Sequence, residues 1–245
     1  MQQLNQVCIA GRMQRLILCI LAFFSFAGRA AGQTIQPVLA EYRGQASGRF
    51  ELTNNSFLPL SVVLEPKSFT VAEDGQISYR PLDSDIHVKF SVTSFRIPPK
   101  QSFSVVYQAT ASALPAWFVV YAGMTGLPER TSTGMNIQIL LPHTVYMLPK
   151  KDASKKELKI VSASFNKTSH VVSLDLASES DSFARVLVTQ VQSGKKKKME
   201  APGFPIYPHK HRRLDVDWKE DVAPDAAVFV LKDFKIEVPI TTPAP

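Results

Sequence analysis

Apolar and polar residues alternate with a period of two along most of the chain after Gly48, the spacing of strands with one face in a core and one in water. Phe50 and Leu52 interleave with Glu51 and Thr53, Asn54-Asn55-Ser56 supplies turn residues, and an apolar run follows from Leu58 to Leu64. His87-Val88-Lys89-Phe90-Ser91-Val92 alternates again, as does Ser102-Phe103-Ser104-Val105 after the corner Pro98-Pro99-Lys100-Gln101. Ala116-Trp117-Phe118-Val119-Val120-Tyr121 is apolar throughout, the pattern of a strand covered on both faces. Met135 to Leu141 follows a Thr131-Ser132-Thr133-Gly134 loop, and one all-β unit ends near Pro149.

The polar, lysine-rich stretch from Lys150 to Lys156 reads as a linker. Beyond it the strand pattern resumes at Leu158-Lys159-Ile160, Val171 to Leu176, Ala184 to Val191, Leu214 to Trp218, Ala227 to Leu231 and Phe234 to Val238. No stretch carries sustained helical spacing with caps, and no repeat of fixed period is present. The fold class expected is all-β: two immunoglobulin-like β-sandwich domains joined by a short hinge, over residues 33–150 and 151–245. The Thr-Thr-Pro-Ala-Pro tail reads as frayed.

Residues 1–32 follow a different pattern. Arg12 and Arg15 precede the apolar run Leu16 to Phe24, and Ala30-Ala31-Gly32 supplies the small residues of a cleavage site. This is the order of a secretory signal peptide that is removed, so the protein is expected outside the cytoplasm. The run from Leu16 to Ala27 falls short of the roughly 20 residues of a permanent span, so stable membrane insertion is not expected. Leu18 stands where a lipid-attachment signal around Cys19 needs a small residue. Met13 opens a more compact signal than Met1 and is an alternative start.

Composition sharpens the picture only where the leader is involved. The formal net charge of +7 includes Arg12, Arg15 and Arg29, so without the leader it is +4, too small a surplus to call for nucleic acid. Both cysteines, Cys8 and Cys19, lie in the leader, which excludes a disulfide, a thiolate metal site and a cysteine nucleophile from the remainder. His209 and His211 would share a face on a strand, but Lys210, Arg212 and Arg213 surround them and repel a cation, so no metal is expected. No phosphate loop, nucleophile elbow or zinc-protease pattern is present, which leaves a hydrolase a distant third class and gives no cofactor. Lys195 to Lys198, with His209 to Arg213, reads as a solvated turn and lysine-protected edge, with an anion-attracting patch as the alternative. Asn166-Lys167-Thr168 fits a turn and also the N-glycosylation pattern.

Met135, Ile137, Ile139 and Leu141 fall on one face of a strand, with Asn136 and Gln138 on the other. Periodicity alone fits an ordinary core strand equally well. Three further passages carry a resemblance: Asn54 to Glu65, with its Asn-x-Ser…Pro order; Thr93 to Val105; and Leu114 to Tyr121. Together with Met135 to Pro149, and more thinly Val230 to Phe234, they resemble the periplasmic chaperones of the chaperone–usher pilus pathway, in pattern and order over most of the chain.

The resemblance implies two immunoglobulin-like domains at an angle, a periplasmic location and a mechanism of strand donation, with no cofactor. A pilus subunit lacking its last strand would take an edge strand from this chain, and the outer-membrane usher would receive the pair. By position the donated residues are Met135, Ile137 and Ile139. Burying them is worth on the order of 1.5–3 kcal/mol each before association costs. The family clamps a terminal carboxylate with an Arg and a Lys; here Leu39 or a neighbour, and Thr144, stand at those positions, and Arg43 and Lys150 are the substitutes within reach. The acidic-basic cluster usual before the central strand is missing around Pro115. The alternative is an exported immunoglobulin-like interaction or envelope-scaffold module whose ridge is core. Self-association through exposed edges stays open under either reading.

Overall fold

The computed structural model describes residues 32–126, 138–194 and 197–242. From Thr34 onward the chain forms one compact unit. It contains two β-sandwiches in series.

The first sandwich begins with β1 (Thr34–Gln36), β2 (Leu39–Arg43), β3 (Ala46–Thr53), β4 (Leu60–Val71) and β5 (Ile77–Pro81). It continues with β6 (Ile86–Phe90), β7 (Ser94–Ile97), β8 (Ser102–Ala111), β9 (Ala116–Thr125) and β10 (Ile139–Leu148). One sheet has the order β1-β3-β8-β6; the other runs β2-β10-β9-β4-β5, with β7 also on β4. Inward residues at every second position, such as Phe50 and Leu52 on β3 and Val105 and Tyr107 on β8, are buried and meet Leu60, Val62, Phe118 and Val120 from the facing sheet. That is the alternation legible along the chain. The strand expected from Met135 is described from Ile139, so Met135 and Ile137 lie outside the described residues.

A single 3-10 turn (Lys155–Glu157) opens the second sandwich, with Glu157 accepting from the Ser154 amide at 2.6 Å and hydroxyl at 2.7 Å. Its strands are β11 (Leu158–Asn166), β12 (Val171–Ser178), β13 (Ala184–Ser193), β14 (Lys197–Ile206), β15 (His211–Asp217), β16 (Ala226–Val230) and β17 (Lys235–Pro239). They form sheets of order β11-β12-β15 and β14-β13-β16-β17 around a core that includes Trp218, Phe229, Leu174 and Leu176.

Of the lysine run, Lys197 and Lys198 belong to β14, at the edge of its sheet, where they pair with Ser193 and Gln192 of β13 and do not form a turn; Lys195 and Lys196 lie outside the described residues. The prolines of β14, Pro202 and Pro205, lie three positions apart, so one of them turns its nitrogen away from β13, and β14, as the edge of its sheet, has no second ladder to lose there.

The sandwiches meet on a third apolar cluster: Phe69, Val119, Tyr146 and Leu148 from the first, Phe183 and Tyr207 from the second. Trp117 packs on Tyr207 with ring centroids 4.6 Å apart, and the Tyr146 and Tyr207 hydroxyls are 3.0 Å apart. Burial pushes the Tyr207 phenol up, out of the titrating range. The double-faced apolar run in β9 thus has a second cause besides sandwich depth: Val119 is covered by the neighbouring domain. On the other flank the β4–β5 turn reaches β15, where the Arg213 amide donates to the Glu73 carbonyl at 2.7 Å and Arg212 Nη1 donates to it at 2.9 Å. Gly75 is required in that turn: its φ is +91, in the left-handed region that favours glycine, and a Cβ there would lie 2.2 Å from Arg212 Nη2.

Candidate functional site

The site is built on β10, whose two halves have different neighbours. On one side β10 pairs antiparallel with β9 along its length, from Ile139↔Met124 to Met147↔Ala116. On the other side β2 runs parallel to it, but only from Leu39↔Thr144 to Arg43↔Leu148. The Thr144 amide donates to the Val38 carbonyl at 2.8 Å, and no strand pairs on that side of Ile139–His143 among the described residues.

Main-chain groups alternate sides along a strand, and Thr144 and Leu148 bond toward β2. The even-numbered residues Leu140 and Pro142 therefore aim their main-chain groups at the uncovered side. Pro142 has no N–H to offer, so it removes a donor from the open edge and none from the ladder with β9. The result is a short edge at which the Leu140 N–H and the carbonyls of Leu140 and Pro142 have no strand partner among the described residues. The side chain of Leu140 is 55% exposed on the outer face beside Val63, at 57%, with Gly123 between them in register. Ile139 and Leu141 point inward and are half-buried against the rim of the first core.

Behind this edge lies a polar chain inside the sandwich. His143, fully buried on β10, has Nδ1 2.6 Å from the Pro37 carbonyl and Nε2 3.0 Å from the Tyr107 hydroxyl, which is 3.0 Å from the Tyr42 hydroxyl. A carbonyl only accepts, so Nδ1 carries the proton. Burial holds the imidazole below its usual range and hence neutral. Nε2 then accepts from Tyr107 O–H, and the Tyr107 oxygen accepts from Tyr42 O–H. Phe50 covers the imidazole at 4.8 Å between centroids. Nothing in the spacing of the five histidines marked His143, because its partners are 106 and 36 positions away.

The second feature is a cleft between the sandwiches with a cavity volume of ≈ 170 Å³, walled by Glu41, Arg43, Leu148, Phe183, Arg185 and Lys232 among others. Arg43 lies there but is engaged: Nη1 donates to the Pro149 carbonyl at 2.8 Å and Nη2 pairs with Asp152. Lys150 is exposed on the hinge. The cleft also holds Arg185, which sequence reasoning missed. Its Nε donates to Glu41 Oε1 at 2.7 Å, with Nη2 2.6 Å from the same oxygen, while the guanidinium lies over the Tyr146 and Phe183 rings. Leu39 and Thr144 face each other across the first β2–β10 rung.

The two clustered histidines do not share a strand face. His209 sits in a turn at φ +52, and only His211 enters β15. Each meets a different carboxylate, Asp181 at 2.7 Å and Asp175 at 3.1 Å. Among the described residues no group of three metal-ligating side chains comes together.

No protein-family profile matches the chain, and no curated protein matches it. Solved structures do resemble it. The YadV chaperone superposes with a TM-score of 0.55 at 13% identity, over 85% of this chain and 100% of that one. The class 5 fimbriae chaperone CfaA gives 0.51 at 12% identity, over 86% and 99%. The SafB chaperone of Salmonella enterica, solved with the SafA pilin, gives 0.51 at 11%, over 87% and 98%. At such identities the likeness is one of fold: the chain has the two-sandwich, immunoglobulin-like fold of the fimbrial chaperones.

Proposed function

We propose that the protein is a chaperone of pilus assembly that binds fimbrial subunits by lending them the leading half of β10. The observation that carries this reading is the divided edge of β10: covered by β2 from Thr144 onward and uncovered from Ile139 to His143. An unpaired edge flanked by apolar side chains is the surface to which an incomplete sandwich adds itself, main chain to main chain. Met135, Ile137 and Ile139 are the proposed donated side chains. Residues 1–32 act as the export signal, 33–150 and 151–245 are the two domains, the periplasm is the place of action, and the outer-membrane usher is the receiving partner. The reading requires neither catalysis nor a cofactor.

Arg43 and Lys150 serve as the proposed carboxylate anchor at the hinge end of the cleft, with Arg43 exchanging Asp152 for the client's terminus. Co-expression with fimbrial subunits from the neighbouring genes tests the proposal. Ile137→Asp is expected to abolish co-purification of a subunit while leaving the circular dichroism spectrum and melting of the free protein unchanged. Undiminished co-purification would remove the β10 ridge from the function.

A further inference from the structure

The open edge poses a problem of self-capping. The segment ahead of β2, Thr34-Ile35-Gln36, is itself extended and lies only a few residues from the uncovered half of β10. Continued straight in the β2–β10 register, in which Leu39 faces Thr144, it would set Pro37 beside Pro142 and Ile35 beside Leu140, and the chain would cover its own donor edge. Instead the segment crosses to the opposite sheet, where β1 pairs with β3 and Ile35 is buried. The crossing point is Pro37, and the group that holds the Pro37 carbonyl toward the sandwich interior is His143 Nδ1–H at 2.6 Å. His143 is the residue just before the rung at which β2 pairing begins.

Resting on the strand-donation reading, we infer that His143 is the positioning residue that diverts the leading segment into the other sheet, and so keeps the edge of β10 up to Pro142 open for a client strand. The surroundings of His143 fit that task. Tyr107 from β8 donates to Nε2 and leaves Nδ1 as the only donor on the ring, aimed at Pro37. Tyr42 from β2 is the next member of the chain, and Phe50 from β3 fixes the ring plane by contact. Strands β2, β3 and β8 thus each contribute to one fixed imidazole on β10.

The test separates the hook from mere packing. An Asn side chain presents its N–H₂ near the place of imidazole Nδ1, whereas Gln presents it near Nε2 and Phe offers no donor. Amide hydrogen exchange of the purified protein is followed by NMR at Leu140, which faces the open side, and Leu141, which faces β9 and reports that β10 is still in its sheet. His143→Gln and His143→Phe are expected to slow exchange at Leu140 by about tenfold or more, as the leading segment slides onto the edge, and His143→Asn to leave it fast. Co-purification of a fimbrial subunit should fall with the first two variants and recover with Asn. Fast exchange at Leu140 in both the Gln and the Phe variant with Leu141 protected, or an Asn variant that behaves like Gln, overturns the role of His143. Slow exchange at Leu140 in the unmodified protein would instead refute the open edge, and with it the strand-donation reading.

Discussion

Replacing Gly48 with Ala should destabilise the first sandwich, against the usual sign for such a change in a strand. An added Cβ at Gly48 would lie 1.9 Å from the Tyr42 hydroxyl, 3.0 Å from its Cζ and 3.3 Å from the Tyr107 hydroxyl. Tyr42 occupies the space a side chain on β3 would take, so Gly48→Ala drives it from the core. The loss comprises the Tyr42–Tyr107 hydrogen bond, worth about 1 kcal/mol. It also includes their edge-to-face contact at 6.3 Å, worth roughly 0.5–1.5 kcal/mol, and part of the ring's burial, about 1–2 kcal/mol. The backbone gain of Ala over Gly in a strand offsets roughly 0.5–1 kcal/mol. The net cost is therefore about 1.5–4 kcal/mol, or a fall on the order of 10 °C or more in the melting of that sandwich. Urea denaturation and thermal melts by far-UV circular dichroism measure it. Tyr42→Phe removes the closest contact, so in the double variant the Gly48→Ala cost should shrink by at least about 1 kcal/mol, a coupling that a double-mutant cycle isolates. A Gly48→Ala protein as stable as the parent, or strict additivity with Tyr42→Phe, would refute the packing argument.

Two further tests address buried polar groups. Asn54 is fully buried; its Nδ2 donates to the carbonyls of Leu58 at 2.8 Å, Ile97 at 3.1 Å and Pro98 at 3.0 Å, and its Oδ1 accepts from the Ser56 amide at 2.9 Å. Asn54→Asp sets a carboxylate against three carbonyls and should cost about 3 kcal/mol or more at pH 7, exceeding Asn54→Ala in a urea titration; parity with the parent would refute this. His143 is held neutral in the fold, so its folded pKa lies below its unfolded value of about 6.5. Stability is then full above that pH and declines as the pH falls toward the folded pKa, because the unfolded chain takes up the proton first. His143→Asn should flatten this part of the stability curve between pH 7.5 and 5, and parallel curves for the two proteins would contradict it.

The alternating strands were legible because each has one wet face: β3 and β8 follow the pattern of Phe50 and Leu52 and of Val105 and Tyr107 closely. Legibility failed where a strand's burial is decided by a distant neighbour. In β14, Lys-Lys-Met-Glu-Ala-Pro-Gly-Phe-Pro-Ile looks like a loop, and it is a strand because β13 supplies a partner along its length despite the prolines. The crossing of β1 and β2 between sheets depends on a bond from Pro37 to a histidine far along the chain, and the cleft depends on Arg185 meeting Glu41 across 144 positions. Neither leaves a local signature. The ridge at 135–139 was legible as a pattern, but only Ile139 of its three residues falls within the described part, half-buried at the rim.

Pro142 has a consequence for life at high concentration. Two molecules meeting edge to edge along β10 would find the hydrogen-bond ladder interrupted at the proline and blocked one step later by β2, so their union cannot lengthen into a stacked ribbon. On the strand-donation reading, a strand left open for a client is thereby made a poor seed for fibrils.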